Sequence, residues 1–506
     1  MAVLEASWWA AVRQTHRRIF GVSNDDFVRN IASHDDDYSR WYTDVVLKAQ
    51  LADWSLVHGC MVIRPYGYAL WENIQQLLDQ RFKATGHQNA YFPLLIPESL
   101  LAKEAAHVEG FAPEVAWVTR GGQDDLDERL AIRPTSEAII GETYSKWVQS
   151  WRDLPLLINQ WCNVLRWEKV TRFFLRTTEF LWQEGHTVHR THEEAEQEVM
   201  RMLGVYQDFV ENELAIPVIA GQKTENEKFK GAEETFSIEA MMGDGKALQA
   251  ATSHDLGQNF SKVFDIKFQD VDKEVRYAWT TSWGASTRLI GALIMVHGDE
   301  RGLIIPPNVA PYQAVIVPVW SNDEQQRQVS AAVEGLQRQL SGFRIHFDAR
   351  DEYRPGWKYN EWDLRGVPLR IEIGPRDIAA GQVQLVRRDE TDERGKPIRR
   401  GVPIEDAGQV VGETLRSIQN DMLAKARTFL ADNTVSAGSF GELQEAIAAR
   451  KFVWAGWCGQ TACERAVKEK TGGTIRNIPL DRDKRPGACV NCGQPSDGLV
   501  IFARAY

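Results

Sequence analysis

The sequence predicts a chain of several domains that combine α-helices with β-strands. Its 506 residues exceed the size of one ordinary domain, and 43% of them are apolar, which is enough for more than one core. Strand-like and helix-like segments alternate between residues 311 and 409, as they do in α/β domains. Four cysteines fall in two short-spaced pairs near the C-terminus, a pattern typical of a small metal-binding module.

Charge and cysteine content restrict the class of protein. The net charge of -11 argues against general electrostatic binding of nucleic acid, so such a partner would be recognised by local patches and shape. The first residues, MAVLEASWWAAVRQ, lack a signal-peptide pattern, and no apolar run is long enough to span a bilayer. Six cysteines in so long a chain favour a reducing compartment. We therefore expect a cytoplasmic protein with no membrane partner.

Three helices are predicted before residue 100. The first, at residues 8–20, is amphipathic and either packs on the body of the protein or binds a partner. The second, at residues 37–51, has acidic residues near its start. The third, at residues 66–83, carries an apolar stripe, ends before Gly86 and is followed by the strand-like segment YFPLLIP.

A strand, a turn and a helix are predicted between residues 130 and 142. Pro134 stiffens the turn, and Thr135 and Ser136 are suited to cap the helix. Glu137 would complement the helix dipole from the first turn. All of these features have a purely structural interpretation.

Residues 160–187, QWCNVLRWEKVTRFFLRTTEFLWQEGHT, predict a strand at 164–168, a loop and a second strand at 177–186. Arg166 and Glu168 are two residues apart and so share a face of the first strand. One face of the second strand holds Phe180, Trp182, Glu184 and His186. This surface carries charges and aromatic rings, which favours a functional site over an ordinary half-buried sheet.

The stretch SWGASTRLIGALIMVHGDERG, which begins at Ser282, predicts a buried helix because apolar residues lie on nearly all its sides. Arg288 lies in the first turn, where a cation opposes the helix dipole. An arginine is favourable there if a phosphate binds at the same helix end. The alternative is that Arg166, Arg176 and Arg288 form structural ion pairs.

The segments between these stretches have plainer interpretations. Residues 192–214 predict a long helix with a solvated charged face, and residues 223–236 predict polar surface. Residues 248–260 include His254, and a lone histidine is more often structural than functional. From residue 311 on, we expect a small α/β domain with a largely parallel sheet, ending in a charge-rich hairpin at residues 387–400.

The cysteine pairs consist of Cys458 with Cys463 and Cys489 with Cys492. Two short-spaced pairs separated by a longer span suit one tetrahedral Zn²⁺ held by four thiolates. Such a site has no open coordination position, so the zinc would be structural. Two disulfides are the alternative, which a cytosolic setting disfavours. Two further cysteines, Cys60 and Cys162, are expected to be buried apolar fillers.

Five ordered segments carry a family resemblance: CMVIRPYGYALWENI, AIRPTSEAIIG, FLWQEGHT, TSHDLGQNF and RPGWKYNEWDLRGVPLRIEIGPRD. The stretches around Arg166 and Arg288 resemble motifs 2 and 3 of class II aminoacyl-tRNA synthetases. From about residue 36 to its end, the chain resembles the prolyl-tRNA synthetases of the archaeal/eukaryotic type. The resemblance implies an N-terminal extension (1–35), a class II catalytic domain on an antiparallel sheet (36–305), an α/β anticodon-binding domain (306–432) and a zinc-binding domain (433–506).

The resemblance also implies the reaction and the partners. L-proline would be activated with ATP and Mg²⁺ to prolyl-adenylate, and the prolyl group would then pass to tRNA(Pro). The helix at residues 66–83 and the strand after it resemble motif 1, which implies a homodimer. The chain lacks room for a large editing insertion between its two core motifs, so misactivated alanine or cysteine would be corrected elsewhere.

Site residues follow from the resemblance position by position. Arg166 would bridge the proline carboxylate and the α-phosphate, and Arg288 would clamp the γ-phosphate. The substrate amino acid would be bound by Thr135, Glu137, Arg166, Trp182, Glu184 and His254. ATP would be bound by Arg166, Glu168, Arg176, Thr177, Gln249, Thr252, Ser286 and Arg288, with magnesium near Gln249 and Thr252. Guanines of the anticodon would be read by Arg354, Lys358, Glu372 and Arg376 at loops or strand ends, although a solvated surface also accounts for such residues.

Two other functions remain open at this point. One is a class II synthetase for threonine, glycine or histidine, and the other is a non-catalytic class II paralogue. The residues Thr135, Glu137 and His254 argue against the first, and the pair Arg166 and Arg288 argues against the second. The chain ends on the apolar segment LVIFARAY. Tyr506 either completes a strand of the last module or, as the resemblance implies, directs its carboxylate towards the catalytic pocket.

Overall fold

The computed structural model describes residues 31–105, 115–482, 487–496 and 498–506, so the helix predicted at residues 8–20 lies outside it. Packing divides these residues into two compact units. The first comprises the described residues up to Gln50, together with Asp299–Ile304 and Tyr312–Val410. The second comprises Leu51–Gly298, Ile305–Pro311 and Val411–Tyr506. In the part of the chain that the structure describes, no helix is both long and apolar enough to cross a membrane.

The elements before residue 150 begin with a helix whose apolar side, including Trp41, Val45 and Val46, is buried. In chain order they are α1 Tyr38–Lys48, β1 Ala52–Trp54, β2 Met61–Ile63, α2 Pro65–Ala84, β3 Gln88–Asn89, β4 Leu95–Pro97, α3 Glu98–Ala105, β5 Trp117–Gly121, β6 Asp124–Ile132 and α4 Glu137–Trp147. The helix predicted at residues 66–83 and the strand–turn–helix unit at residues 130–142 are confirmed.

The next elements provide most of the large sheet. They are β7 Leu156–Leu165, β8 Glu179–His189, α5 His192–Asn212, β9 Val218–Gln222, β10 Glu234–Met241, β11 Ala247–Gly257, α6 Asn259–Phe264, β12 Lys267–Gln269, β13 Val275–Tyr277, β14 Trp279–Ser286 and α7 Arg288–His297. Helix α7 is buried nearly all round, as its composition predicts. Strand β7 ends before Glu168, so the predicted shared strand face of Arg166 and Glu168 is wrong.

The remaining elements belong to the α/β region and the C-terminal module. They are β15 Ala314–Pro318, α8 Asp323–Gln339, β16 Ile345–Phe347, α9 Pro355–Leu364, β17 Leu369–Ile373, α10 Pro375–Ala379, β18 Gln382–Arg387, β19 Arg400–Pro403, α11 Ala407–Asp432, β20 Thr434–Ser436, α12 Phe440–Ala448, β21 Phe452–Gly456, α13 Thr461–Thr471, β22 Thr474–Pro479, β23 Gly487–Ala488, β24 Pro495–Ser496 and β25 Leu499–Ala503.

An eleven-stranded sheet organises the second unit, in the order β20-β21-β25-β22-β9-β10-β11-β14-β8-β7-β3. Its neighbouring strands are antiparallel from β21 to β7, and the two edge pairs are parallel. The antiparallel core expected for a class II catalytic domain is therefore present. Trp283 packs its ring across Gly185 on the neighbouring strand, where a Cβ atom would lie 2.1 Å from the indole.

The first unit contains a five-stranded sheet in the order β16-β15-β17-β18-β19. Strands β16, β15 and β17 are parallel because long helical connections join them, whereas β18 and β19 are antiparallel to their neighbours. The prediction of a largely parallel sheet is thus correct for only three strands. The connection that contains α10 is too short for a crossover, so β18 returns beside β17 in the opposite direction. The predicted hairpin joins β18 to β19.

Candidate active site

A cavity of about 550 Å³ lies against one face of the large sheet. Strands β8, β11 and β14 form its floor, and the N-terminal ends of α4 and α7 contribute to its walls. Strand register places the floor residues in rows that cross the sheet. The first row is Thr235, His254, Ser282 and His186; the second is Ser237, Thr252, Gly284 and Glu184; and Ser286 opposite Trp182 belongs to the third. The cavity therefore has a His254 end and an Arg288 end.

A β-bulge brings Gln249 to the same cavity as Thr252. These residues are three apart, so a regular strand would direct them to opposite faces. The pairing of β10 with β11 shifts between Ile238 and Glu239 and leaves Ala250 as the extra residue. Both Gln249 and Thr252 consequently line the cavity.

Two guanidinium groups line the Arg288 end, that of the half-buried Arg288 and that of Arg166, which is exposed. Arg166 Nε donates to the carbonyl of Pro134 at 3.0 Å. Arg288 donates to the carbonyls of Leu175 at 3.3 Å and Gln249 at 3.4 Å. Among the residues that the structure describes, neither guanidinium forms an ion pair with a carboxylate, and desolvation in the cavity lowers the pKa of both. Two cations held in this way favour binding of an anion.

Acidic and hydroxyl groups occupy the other half. Thr135 Oγ1 donates to Oε2 of Glu137 at 2.5 Å, and Glu137 is buried at the start of α4. Within the described residues, the second carboxylate oxygen of Glu137 has no donor. Ser136 is the N-cap residue but makes no capping bond; its hydroxyl donates to Glu184 at 2.5 Å and accepts from Gln160 Nε2 at 3.4 Å. The prediction that Thr135 and Ser136 cap the helix is therefore wrong.

Donors from the N-cap of α4 and from strand β7, together with a histidine of β8, hold Glu184 in the cavity floor. Its Oε1 accepts from Ser136, from Gln160 Nε2 at 2.9 Å and from Cys162 Sγ at 3.4 Å. Its Oε2 lies 3.1 Å from Nε2 of His186. Burial raises the pKa of Glu184, but these hydrogen bonds outweigh it and the net shift is downward. Because Cys162 also accepts from Trp182 Nε1 at 3.2 Å, its interpretation as an apolar filler is wrong.

The structure brings most of the sequence-predicted site residues into this cavity. The lining includes Thr135, Glu137, Arg166, Glu168, Trp182, Glu184, Gln249, Thr252, His254, Ser286 and Arg288. Arg176 and Thr177 are not in the lining. Arg176 is exposed and pairs with Glu168 at 2.8 Å, and the buried Thr177 hydroxyl donates to the carbonyl of Glu179 at 2.8 Å.

One wall of the cavity, which the sequence did not predict, is formed by residues between β9 and β10 and at the start of β10. Glu227, Phe229 and Thr235 line it, so the prediction that residues 223–236 are surface is wrong. The Phe229 ring lies 4.9 Å from the ring of His254. An aromatic residue within a charged segment was the available signal.

Four thiols converge at the C-terminal module, and all six cysteines of the chain are free. The sulfur atoms of Cys458, Cys463, Cys489 and Cys492 all lie within 4.8 Å of one another, and Cys458 and Cys492 are 3.7 Å apart. In a tetrahedral site with Zn–S bonds of about 2.3 Å, neighbouring sulfurs are about 3.8 Å apart, so the cluster fits zinc. Burial raises the pKa of Cys458 to about 12, and a cation bound by the cluster would favour its thiolate.

The four predicted anticodon residues of the first unit fall into two groups. Arg354 and Arg376 are exposed at the N-terminal ends of α9 and α10. Lys358 is buried and donates to the carbonyl of Asp348 at 3.0 Å. Glu372 is buried within β17 and accepts from Arg370 at 3.0 Å and Arg399 at 2.9 Å. Only the first group presents its charges to solvent.

The C-terminal residue lies beside the strand that carries Gln249. Its backbone N–H donates to the carbonyl of Ala247 at 3.2 Å. The Tyr506 ring lies 4.5 Å from Nζ of Lys246 and 5.4 Å from the guanidinium carbon of Arg172, which belongs to the loop between β7 and β8. The plainer expectation, that Tyr506 completes a strand of its module, is wrong because β25 ends at Ala503.

Three family descriptions match successive parts of the chain. Residues 117–297 match "tRNA synthetase class II core domain (G, H, P, S and T)", residues 313–414 match "Anticodon binding domain", and residues 440–506 match "Prolyl-tRNA synthetase, C-terminal". The matched ranges correspond in order to the cavity-bearing sheet, the five-stranded sheet and the cysteine module.

Individual relatives match over nearly the whole chain. A proline–tRNA ligase of Natranaerobius thermophilus is 57% identical over 96% of this chain and 99% of its own length. One from Symbiobacterium thermophilum is 55% identical over 95% and 99%. The crystal structure of prolyl-tRNA synthetase from Cryptosporidium parvum, complexed with halofuginone and AMPPNP, has a TM-score of 0.89 and 41% identity, and the match covers 94% of this chain and 99% of that one.

Proposed function

The chain belongs to the prolyl-tRNA synthetases, class II enzymes that join proline to tRNA with ATP, and we propose how its residues divide this reaction. The Arg288 end of the cavity binds the phosphates of ATP, and the His254 end binds proline. The observation that carries this division is the pair of cavity-lining guanidinium groups that have no ion-pair partner among the described residues.

The Arg288 end of the cavity is suited to bind an anion. Both guanidinium groups donate only to backbone carbonyls in the described residues, and a triphosphate would neutralise them and accept from their remaining N–H groups. Arg288 lies at the start of α7, where the helix dipole also favours a phosphate. We assign Arg288 to the γ-phosphate and Arg166, which lies towards the amino-acid end, to the α-phosphate and the proline carboxylate.

The other end supplies groups that match a cyclic secondary ammonium. One oxygen of Glu137 has no donor among the described residues and can accept from that ammonium. Trp182 and Phe229 give apolar walls for the ring. Thr135 and Glu184 act on the pocket differently: the first orients Glu137, and the second fixes the floor through Ser136 and His186.

The reaction requires no protein nucleophile. A carboxylate oxygen of proline attacks the α-phosphorus of ATP, the bond from that phosphorus to the bridging oxygen breaks, and pyrophosphate leaves with the electron pair. Arg166 holds the attacking carboxylate and the α-phosphate together, and Arg288 stabilises charge on the departing phosphates. In the second step the terminal ribose hydroxyl of tRNA(Pro) attacks the carbonyl of prolyl-adenylate, and AMP leaves.

Gln249, Thr252, Glu168, Arg176, Thr177 and Ser286 complete the proposed nucleotide site. Arg176 and Thr177 lie outside the cavity lining, so we assign them a supporting role: Arg176 positions Glu168, to which it is paired. Magnesium would be held by the side-chain oxygen of Gln249 and by the phosphates, a ligand set that suits this cation. It would supply charge neutralisation of the phosphates.

The remaining assignments concern the other domains. We propose the division 1–35, 36–305, 306–432 and 433–506, with a structural zinc in the last domain, held by Cys458, Cys463, Cys489 and Cys492. Exposed Arg354 and Arg376 would contact the anticodon of tRNA(Pro). Buried Lys358 and Glu372 would hold the framework that presents them.

We also propose a cytoplasmic homodimer. Six free cysteines suit a reducing compartment. Large apolar side chains are exposed along the three-stranded sheet β4-β6-β5 and next to it, among them Tyr91, Leu95 and Trp117, and a second copy would cover them. Light scattering that gives the mass of one chain at micromolar concentration would contradict the dimer.

The Cryptosporidium enzyme is complexed with halofuginone and AMPPNP. We propose that this chain binds both compounds in the cavity described above. The proposed function is tested by amino-acid-dependent exchange of pyrophosphate into ATP. Proline should support exchange, and threonine, glycine and histidine should not. Exchange with one of those three and not with proline would indicate another class II specificity, and exchange with none would indicate a non-catalytic protein.

A further inference from the structure

The cavity wall next to His254 is supported from outside by the C-terminal module. This wall is the last part of the 223–229 segment, which follows β9 and ends at Phe229. Glu227 and Phe229 line the cavity, whereas Lys223 and Thr224, at the other end of the segment, are buried against the module. The segment is thus placed between the substrate pocket and the domain that carries the cysteine cluster.

Glu464 makes the central contact with this segment. Its Oε1 accepts from Thr224 Oγ1 at 2.8 Å, and its Oε2 accepts from Asn226 Nδ2 at 2.8 Å. Glu464 is 4% exposed and Thr224 is 3% exposed. Both oxygens of one buried carboxylate therefore hold two residues that directly precede the cavity wall.

Further contacts lie on either side of this carboxylate. Lys223 Nζ donates to the carbonyl of Arg476 in β22 at 2.6 Å. Lys468, one turn after Glu464 on α13, has its Nζ 3.9 Å from Glu227. Thr224, Asn226 and Glu227 are thus tied to α13, and Lys223 is tied to the neighbouring β22.

The position of α13 depends in turn on the cysteine cluster. Glu464 directly follows Cys463, and both lie in the first turn of this helix. The side chain of Cys463 joins three other thiols, so loading of the cluster fixes the turn that carries Glu464.

We propose that Glu464 is a positioning residue for the amino-acid pocket. By holding Thr224 and Asn226, it keeps Phe229 against His254, and it connects the cysteine cluster to the affinity for proline. The inference rests on the proposed assignment of the His254 end of the cavity to proline. It concerns binding of the amino acid and not the chemistry at the Arg288 end.

Steady-state exchange kinetics with the full-length enzyme test the proposal. In Glu464→Ala, two buried donors lose their acceptor, so KM for proline should rise about tenfold while kcat and KM for ATP change less than about twofold. Glu464→Gln retains an acceptor for Thr224 and should give a smaller rise. Glu469→Gln is the matched control because Glu469 is exposed on the same helix. Equal effects on KM for proline and KM for ATP would overturn the proposal.

Phe229→Ala separates the proposal from the function on which it rests. If Phe229→Ala raises KM for proline and Glu464→Ala does not, the contact with Glu464 does not position the pocket. If Phe229→Ala also leaves KM for proline unchanged, the His254 end is not the proline site, and both the assignment and the proposal fail.

Calorimetric binding of proline provides a readout that does not depend on catalysis. Treatment of the wild-type enzyme with a chelator should weaken proline binding by about the same factor as Glu464→Ala, since both act through one contact. Chelation should weaken it no further in the variant. If chelation weakens proline binding further in Glu464→Ala, so that the two factors multiply, the cluster acts by another route. That result would contradict the proposed connection between the cluster and the pocket through Glu464.

Discussion

The hydroxyl oxygen of Thr235 lies 3.0 Å from Nδ1 of His254. The same oxygen accepts the backbone N–H of Phe229 at 3.0 Å, so we assign its own proton to the bond with Nδ1. The imidazole proton is then on Nε2, where it can be donated to a substrate in the cavity. Burial, with a smaller contribution from His186, lowers the pKa of His254 to about 3, which keeps the ring neutral.

The first prediction concerns the dependence of stability on pH. Because the folded pKa of His254 lies below the unfolded value, the unfolded chain binds more protons as the pH falls from about 6.5 towards 3, and the protein loses stability. At pH 5 this loss is about 2 kcal/mol. Urea unfolding of wild type and His254→Gln at pH 7 and pH 5 measures it. The variant should lose less stability between the two pH values, and identical losses would contradict a neutral, half-buried His254.

The second prediction concerns the metal. Freshly purified enzyme should contain one zinc per chain, and Cys492→Ser should lose it, because three thiolates leave the tetrahedral site incomplete. The C-terminal module of that variant should become more sensitive to protease. Cys60→Ser is the control: Cys60 lies outside the cluster, so this variant should retain the zinc. Elemental analysis that finds no zinc in the wild-type protein would exclude the assignment.

The third prediction separates two of the basic residues in the first unit. Arg376→Ala should lower kcat/KM for tRNA charging about tenfold, the loss expected from one contact to a base, and leave proline activation unchanged. Lys358→Met should lower thermal stability, because its buried ammonium donates to the carbonyl of Asp348. Charging and exchange assays with a melting curve distinguish the two. If Lys358→Met has normal stability and loses only tRNA charging, Lys358 contacts the tRNA, and its structural assignment is wrong.

The fourth prediction concerns the C-terminus. Deleting Tyr506 removes a ring that contacts Lys246 and Arg172, and Arg172 belongs to the loop that also carries Glu168. We expect KM for ATP to rise about fivefold from the lost cation–π contacts, with zinc retained. Tyr506→Phe keeps the ring and should behave as wild type. A deletion variant with unchanged exchange kinetics would show that the terminus does not support the site.

The sequence predicted the elements in which local pattern and tertiary environment agree. Helix α7 is apolar nearly all round and buried, and the alternating face of β8 does form the cavity floor with Trp182 and Glu184. The cysteine spacing likewise predicted four thiols at one point. In each case the residue types and their period carry the structural information directly.

Other features depend on contacts between residues far apart in sequence. Lys223 and Thr224 belong to a polar segment, yet both are buried. Lys223 forms an ion pair with Glu239, and the Thr224 hydroxyl donates to Glu464. The bulge that brings Gln249 to the cavity arises from the pairing of two strands, and the residue pattern of neither strand shows it. The same limit applies to Lys358, whose burial depends on Asp348 in the loop after another strand.

The central claim is that Arg166 and Arg288 line the cavity in order to bind substrate anions and not to stabilise the fold. Arg288→Met and Arg166→Met test it through proline-dependent exchange and thermal stability measured on the same samples, with Arg120→Met as an exposed control. Exchange should fall by about 10²–10³-fold, as when an oxyanion donor is lost. The melting temperature should change little, because neither arginine has an ion-pair partner in the described residues that the substitution would leave unpaired. Near-normal exchange, or a melting temperature that falls in step with activity, would contradict the claim.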